Sequence, residues 1–388
     1  MEVTDPVREH RRADWFELFF DLVFVVMVAV LAHGLHGDPG WRDFGTFLVL
    51  FFPAWWAWVN LMLSVNLFGS ESTWNRITLV VAMPGLGLMA AASPEGLGER
   101  AWVFALGAAW VRVAIFALWW PQVGKARWEL PAWRPITYCL VPAAVWTVSA
   151  FVPGSARFVL WGLAVGIEVL LLSIGTGQSR QTYSLVSAEH LIERIGLFIV
   201  IVLGESVFAV VTGLSEHFTG SSATAALGSF IVVALLAVTF FRWSTPSAER
   251  GFAAAQAQDA RSNMREAVMY FPFLLISSIT MLAAALGTAV AEPDHHLPAG
   301  SVAGLVGGIA GYYAISGLIA QRLGESWHSL LRWLPAGLLL PLIVLIPAGL
   351  LLPGWAATLS AGAVVLALFI SSKLTKPRVS PPGLVAEG

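Results

Sequence analysis

Five carboxylates and two arginines, Glu17, Asp21, Glu168, Glu193, Glu205, Arg112 and Arg194, stand inside stretches that are otherwise almost wholly apolar. A charge near mid-bilayer costs at least about 2.5 to 3.5 kcal/mol on insertion scales, so such residues face a bundle interior or a wet cavity and have partners. Arg194 and Glu205 are eleven residues apart. On a helix that is roughly 1100° of rotation, which leaves them within about 20° of one stripe and about 16 Å apart along the axis. Glu17 and Asp21, four residues apart, share a helix face, with Asp21 about 6 Å deeper. Like charges that close discourage simultaneous ionisation unless a cation intervenes. Proton exchange or cation binding is the chemistry these residue types suit. No Walker loop, dinucleotide fingerprint, nucleophile elbow or nucleic-acid module accompanies them.

Partners follow from depth. Arg194 stands at about the depth of Asp21, and the two pair if their helices are adjacent; otherwise Glu17 is solvated at the interface and Asp21 only pins helix packing. Arg112, near the midplane, pairs with Glu205 or with Glu168. Two arginines against five acids leave an excess of carboxyls, and a desolvated acid without a counter-charge is held protonated or binds a cation. Glu205, beside Gly204, is expected to be the main titrating group, held by Arg112 or by hydrogen bonds. For Glu168 a neutral acid bonded to a backbone carbonyl is the plain alternative. His190 and Glu193 form H-x-x-E on one face and could join Glu17 or Asp21 around a metal; the simpler placement is a solvated His190 among the headgroups. No metal and no cofactor are expected. Cys139 is the single cysteine, which excludes an intrachain disulfide and a Cys-rich metal site, and His33 lacks a companion at haem-ligand spacing.

The elements that carry these residues are membrane helices. The chain is 57% hydrophobic and 12% charged, with 18 Trp and a mean hydropathy of +0.75, a surface no soluble domain tolerates. Lipid admits only helices or closed barrels, and runs of this length read as helices, so the fold class is an all-α polytopic bundle with the bilayer as its partner. Apolar runs give twelve spans at about 15–35, 43–65, 77–93, 101–120, 136–152, 157–174, 191–212, 223–243, 267–290, 301–320, 333–352 and 355–372. With both termini cytoplasmic, seventeen of the 22 Lys and Arg fall on cytoplasmic segments, against Arg42, Arg100 and Arg157 outside. Trp55, Trp56, Trp58, Trp119 and Trp120 read as aromatic-belt anchors. Pro84 with Gly85 and Gly87, Pro142, Pro341 and Pro347 mark kinks or hinges.

The two halves resemble each other. DWFELFFDLVF aligns with EHLIERIGLFI at an offset of 176, GTFLVL with GSFIVV at 183, and FVPGSA with LLPGWA at 200. Matches in the same order with growing offsets suit a duplication of six helices, at 1–180 and 181–376, related by a pseudo-two-fold along the membrane normal. Residues 377–388 read as a disordered tail.

ELFFDLVF from Glu17 to Phe24, HLIER from His190 to Arg194 and LGES from Leu203 to Ser206 resemble the bacterial low temperature requirement A (LtrA) family. The resemblance implies a multi-pass protein of the bacterial inner membrane, from a family named for growth in the cold, with Glu17, Asp21, His190, Glu193, Arg194 and Glu205 at its characteristic polar positions. The first expectation for function is a proton- or cation-coupled secondary transporter of an unidentified small molecule or ion. The alternatives are a membrane enzyme using Glu17, Asp21, His190 and Glu193 at the cytoplasmic face, or a non-catalytic protein supporting growth in the cold.

Overall fold

In the computed structural model, twelve long helices follow one another among the described residues, with a short one at Trp327–Leu330. The structure describes residues 15–69, 72–125, 130–174, 186–244, 248, 250–252, 254 and 261–375. The helices are α1 (Trp15–His33), α2 (Trp41–Phe68), α3 (Thr73–Ala92), α4 (Ala101–Trp119), α5 (133–151), α6 (Ala156–Ile174), α7 (Ala188–Glu216), α8 (Gly220–Thr239), α9 (261–291), α10 (Ala299–Arg322), α11 (334–351) and α12 (Gly354–Thr375). The described residues are 86% helix, with no strand among them. Ten of these segments are long and apolar enough to cross a membrane; α5 and α6, the fifth and sixth predicted spans, are helical over the expected ranges. This is a multi-pass membrane protein. The tail at 377–388 lies outside the described residues.

Four π turns occur among the described residues, at Ile136–Leu140, Phe240–Ser244, Glu266–Tyr270 and Pro341–Leu345; those in α5, α9 and α11 are each followed two residues later by a proline, Pro142, Pro272 and Pro347. Proline offers no N–H to the preceding turn, and the wider turn rearranges the local hydrogen bonds without ending the helix. Pro84 leaves α3 unbroken, and its neighbour Gly85 serves close packing. A Cβ at Gly107 would lie 2.6 Å from the Gly85 carbonyl oxygen, so α3 and α4 touch backbone to backbone. α9 and α10 do the same at Gly308, where a Cβ would come within 2.8 Å of the Ser278 carbonyl oxygen. Small residues that let backbones approach are the main source of packing energy between helices in lipid.

α2 runs through the middle of the bundle and packs against α1, α3, α4, α7 and α9. Trp55, Trp56 and Trp58 are 1%, 0% and 0% exposed, which removes them from any aromatic belt and makes them the core. Trp55 stacks on Trp58, and both rings meet Phe198 of α7. Trp119 is likewise turned inward, donating from its indole to Ser64 Oγ at 2.8 Å, whereas Trp120 is exposed.

Candidate functional site

The first polar centre joins the start of α1 to the start of α7. Ser187 caps α7, and about two turns on, Arg194 meets both acids of α1. Its Nε donates to Asp21 Oδ2 at 3.0 Å and its Nη2 to Asp21 Oδ1 at 2.6 Å, the two-pronged arrangement that guanidinium and carboxylate geometry favour. Its Nη1 donates to Glu17 Oε2 at 2.8 Å. Trp58 supplies a further donor to Asp21 Oδ1 at 2.8 Å. His190 Nε2 lies 2.9 Å from the same Glu17 oxygen that Arg194 holds. Glu17, Asp21, His190 and Arg194 are all at most 1% exposed.

The tautomer of His190 follows from its other neighbour. The Ser187 N–H donates to Asn66 Oδ1 at 3.0 Å, so Nδ2 of Asn66 faces the other way, donating to the Ser187 carbonyl and to His190 Nδ1, each at 3.0 Å. Nδ1 is thereby an acceptor, and the ring proton sits on Nε2, pointing at Glu17. The expectation of a solvated His190 is overturned: the ring is sealed between α1, α2 and α7 because Asn66, at the far end of α2, fixes it. Glu17 is buried too, not solvated at the interface.

A second centre lies between α4 and α6. Arg112 Nε donates to Glu168 Oε1 and its Nη2 to Glu168 Oε2, both at 3.1 Å. The remaining donors reach the carbonyls of Ala108 and Pro53 at 3.4 Å, and the guanidinium carbon stands 5.6 Å from the centre of the Trp146 ring. Nearby on the inner face of α2, Asn60 Oδ1 accepts from Tyr138 of α5 at 2.7 Å. Glu168 is therefore the partner of Arg112, and it bonds a guanidinium where the plain alternative had a backbone carbonyl.

Glu205 joins neither centre. It is half-buried on α7 with no hydrogen-bond or ionic partner among the described residues. It lies on the Arg194 stripe with Phe198 between the two, so the pairing with Arg112 is not formed. Gly204 is exposed and lines an apolar groove with Val200, Val207, Phe230 and Phe241, taking no close approach from another helix. Glu193 is half-buried, one turn after His190. No group of three or more metal-binding side chains occurs among the described residues.

Sequence reasoning missed Trp58, Asn66, Asn60 and Trp146. A signal was present for three of them. Trp55, Trp56 and Trp58 step around α2 by about 100° per residue and cannot all face lipid, and Asn60 and Asn66 are amides in an apolar run. The comparisons with known proteins bear on the same motifs: residues 12–370 match the family described as Bacterial low temperature requirement A protein (LtrA).

The chain belongs to the LtrA family. The match takes in both polar centres and eleven helices entire. Over 209 residues the chain is 26% identical to Uncharacterized protein RA0937 of Rhizobium meliloti (strain 1021), covering 52% of this chain and 51% of that protein. The chain thus aligns with about half the length of this relative.

Proposed function

We propose that this LtrA family protein is a proton-coupled secondary transporter of the bacterial inner membrane, in which the Glu17–His190 contact takes up and releases the proton. The observation that carries the reading is the sealed cluster of Glu17, Asp21, His190 and Arg194 across the α1–α7 joint. Glu17 and His190 share one hydrogen bond between a carboxylate and an imidazole, so a proton arriving at either changes which bonds hold α1 to α7. Glu205, deeper on the same face of α7, is the second station. Phe198, edge-on to Trp55 and tilted against Trp58, stands between them and must move for a proton to pass.

A recurring pattern of helix contacts, as a duplication would leave, supports this reading. The contacts α1–α2, α1–α3, α3–α4 and α4–α5 recur as α7–α8, α7–α9, α9–α10 and α10–α11. The glycine approach in α3–α4 recurs in α9–α10, and α5 and α11 each carry the π turn with its following proline. α8 packs along α12, whereas α2 takes the centre of the bundle. Helix repeats with polar sites at their junction are the common build of secondary transporters. An enzyme working at the membrane surface needs open access to its acids, and these are buried.

The test is reconstitution in liposomes with an internal pH indicator, alongside complementation of cold-sensitive growth. Glu17→Gln and His190→Gln are expected to fold and to lose both proton movement and complementation, and Glu205→Gln to lose proton movement. Full complementation by Glu17→Gln and His190→Gln together would overturn the proposal.

A further inference from the structure

At the end of the bundle opposite the Arg194 cluster, the loop between α1 and α2 reaches across to α9 and α10. The Gly37 N–H donates to Thr288 Oγ1 of α9 at 2.9 Å, and Ser301 Oγ of α10 donates to the Gly37 carbonyl at 2.6 Å. The Gly300 N–H, in the first turn of α10, donates to Asp38 Oδ1 at 2.8 Å, where a carboxylate also meets the positive end of the helix dipole. The seating leaves no slack. Gly37 takes a left-handed φ of 78°, and a Cβ at Gly300 would stand 2.1 Å from the Pro39 carbonyl oxygen. His36 fills the space beneath, its ring against Gly287 of α9, where a Cβ would lie 2.8 Å from Nε2 and 3.4 Å from Ala209 of α7. Its Nδ1 lies 3.3 Å from the His33 carbonyl oxygen.

We propose that His36 is a separate proton-binding site of this protein: as a neutral ring it wedges the α1–α2 loop against α7 and α9, and a proton on it releases the loop. The latch is built from three hydrogen bonds between elements more than 250 residues apart, with one titratable ring inside it. The groups that face His36 are His33 at the end of α1, Glu216 at the end of α7 and backbone carbonyls of α1, while α9 presents Gly287. Burial is the largest influence and pushes His36 below its ordinary value; the His33 carbonyl raises it, the His33 ring lowers it, and Glu216 raises it weakly. With the closed value depressed, the closed latch is fully favoured above the open-state value of about 6.5 and loses that advantage as the pH falls below it. Acid at this end opens it.

The inference is independent of transport. Spin labels on Gly40→Cys, at the end of the loop, and His295→Cys, both exposed, in a Cys139→Ala background, report the gap between the loop and the α9–α10 turn. A single short distance is expected at pH 7.5, with a longer component at pH 5. His36→Gln, neutral at both values, is expected to stay short at both. Thr288→Val, which removes the acceptor for Gly37, is expected to show the longer component already at pH 7.5. A distance that does not change with pH in the parent, or that changes equally in His36→Gln, would overturn the proposal.

Discussion

Arg194 and Arg112 are both guanidiniums sealed in a membrane bundle, and they are held in opposite ways. Arg112 faces one carboxylate two-pronged, spends its remaining donors on carbonyls of α4 and α2, and lies beside an indole ring. Its partner Glu168 is only 56 residues away, within the same run of neighbouring helices. Arg194 serves two carboxylates more than 170 residues away, and one of them is claimed at the same oxygen by His190. The first arrangement is closed, one cation to one anion. The second has a bond that a proton can exchange. A buried ion pair that only holds helices together can be replaced by apolar residues at little cost, whereas one that works cannot.

That contrast can be broken experimentally, beginning with the largest effect. Arg194→Ala leaves Glu17 and Asp21 buried without their shared cation and is expected to cost about 3 to 5 kcal/mol or to abolish folded protein, as the cost of orphaning a buried charge predicts. Thermal unfolding in detergent measures it; a melting curve like the parent's would show that the cluster is not what joins α1 to α7. Arg112→Ala is expected to destabilise by about 3 kcal/mol, because Glu168 can escape in part by taking a proton. The sharper experiment replaces both partners, Arg112→Met with Glu168→Leu. Parental stability and parental complementation are expected there, and loss of complementation would make the second centre functional as well.

Smaller effects refine the picture. Trp58→Phe keeps the ring against Phe198 and removes the donor to Asp21, for an expected loss of about 1 to 2 kcal/mol. If the loss is no greater than that of Trp55→Phe, whose indole donates to the neutral Met269 carbonyl, then the charge on Asp21 adds nothing to the bond from Trp58. The last test changes no energy but assigns a side to each end. Asp294→Cys in a Cys139→Ala background is expected to react with an impermeant maleimide in intact cells, placing the His36 latch outside and the Arg194 cluster inside. Reaction only after permeabilisation would invert that assignment.

How far the sequence discloses this molecule depends on the range of the interaction. Span limits are local, set where apolar runs meet charge, and the helices match them within a few residues. Depth is local as well, so Asp21 with Arg194 is legible as soon as a charge demands a partner, while for Arg112 depth leaves both Glu168 and Glu205 open. The fate of His190 is not, because its burial depends on Asn66, 124 positions earlier and on another helix. The isolation of Glu205 is also hidden: its depth equals that of Arg112, yet the rotation of α7 that gives Arg194 to α1 directs Glu205 along the same side, away from α4. Depth can be read from counting residues, and azimuth only from packing.

The central position of α2 has a consequence for how the protein is made. Its polar groups are answered by Asp21 before it and by Arg112, Trp119, Tyr138, Ser187, His190 and Met269 after it. When α2 leaves the ribosome, only one of those partners exists. Asn60, Ser64 and Asn66 therefore enter the bilayer, or wait at its edge, with needs that helices not yet translated will meet. The helix that becomes the most enclosed is the one whose insertion is least self-sufficient, and slowing translation between α2 and α7 is where assembly would be most exposed to failure.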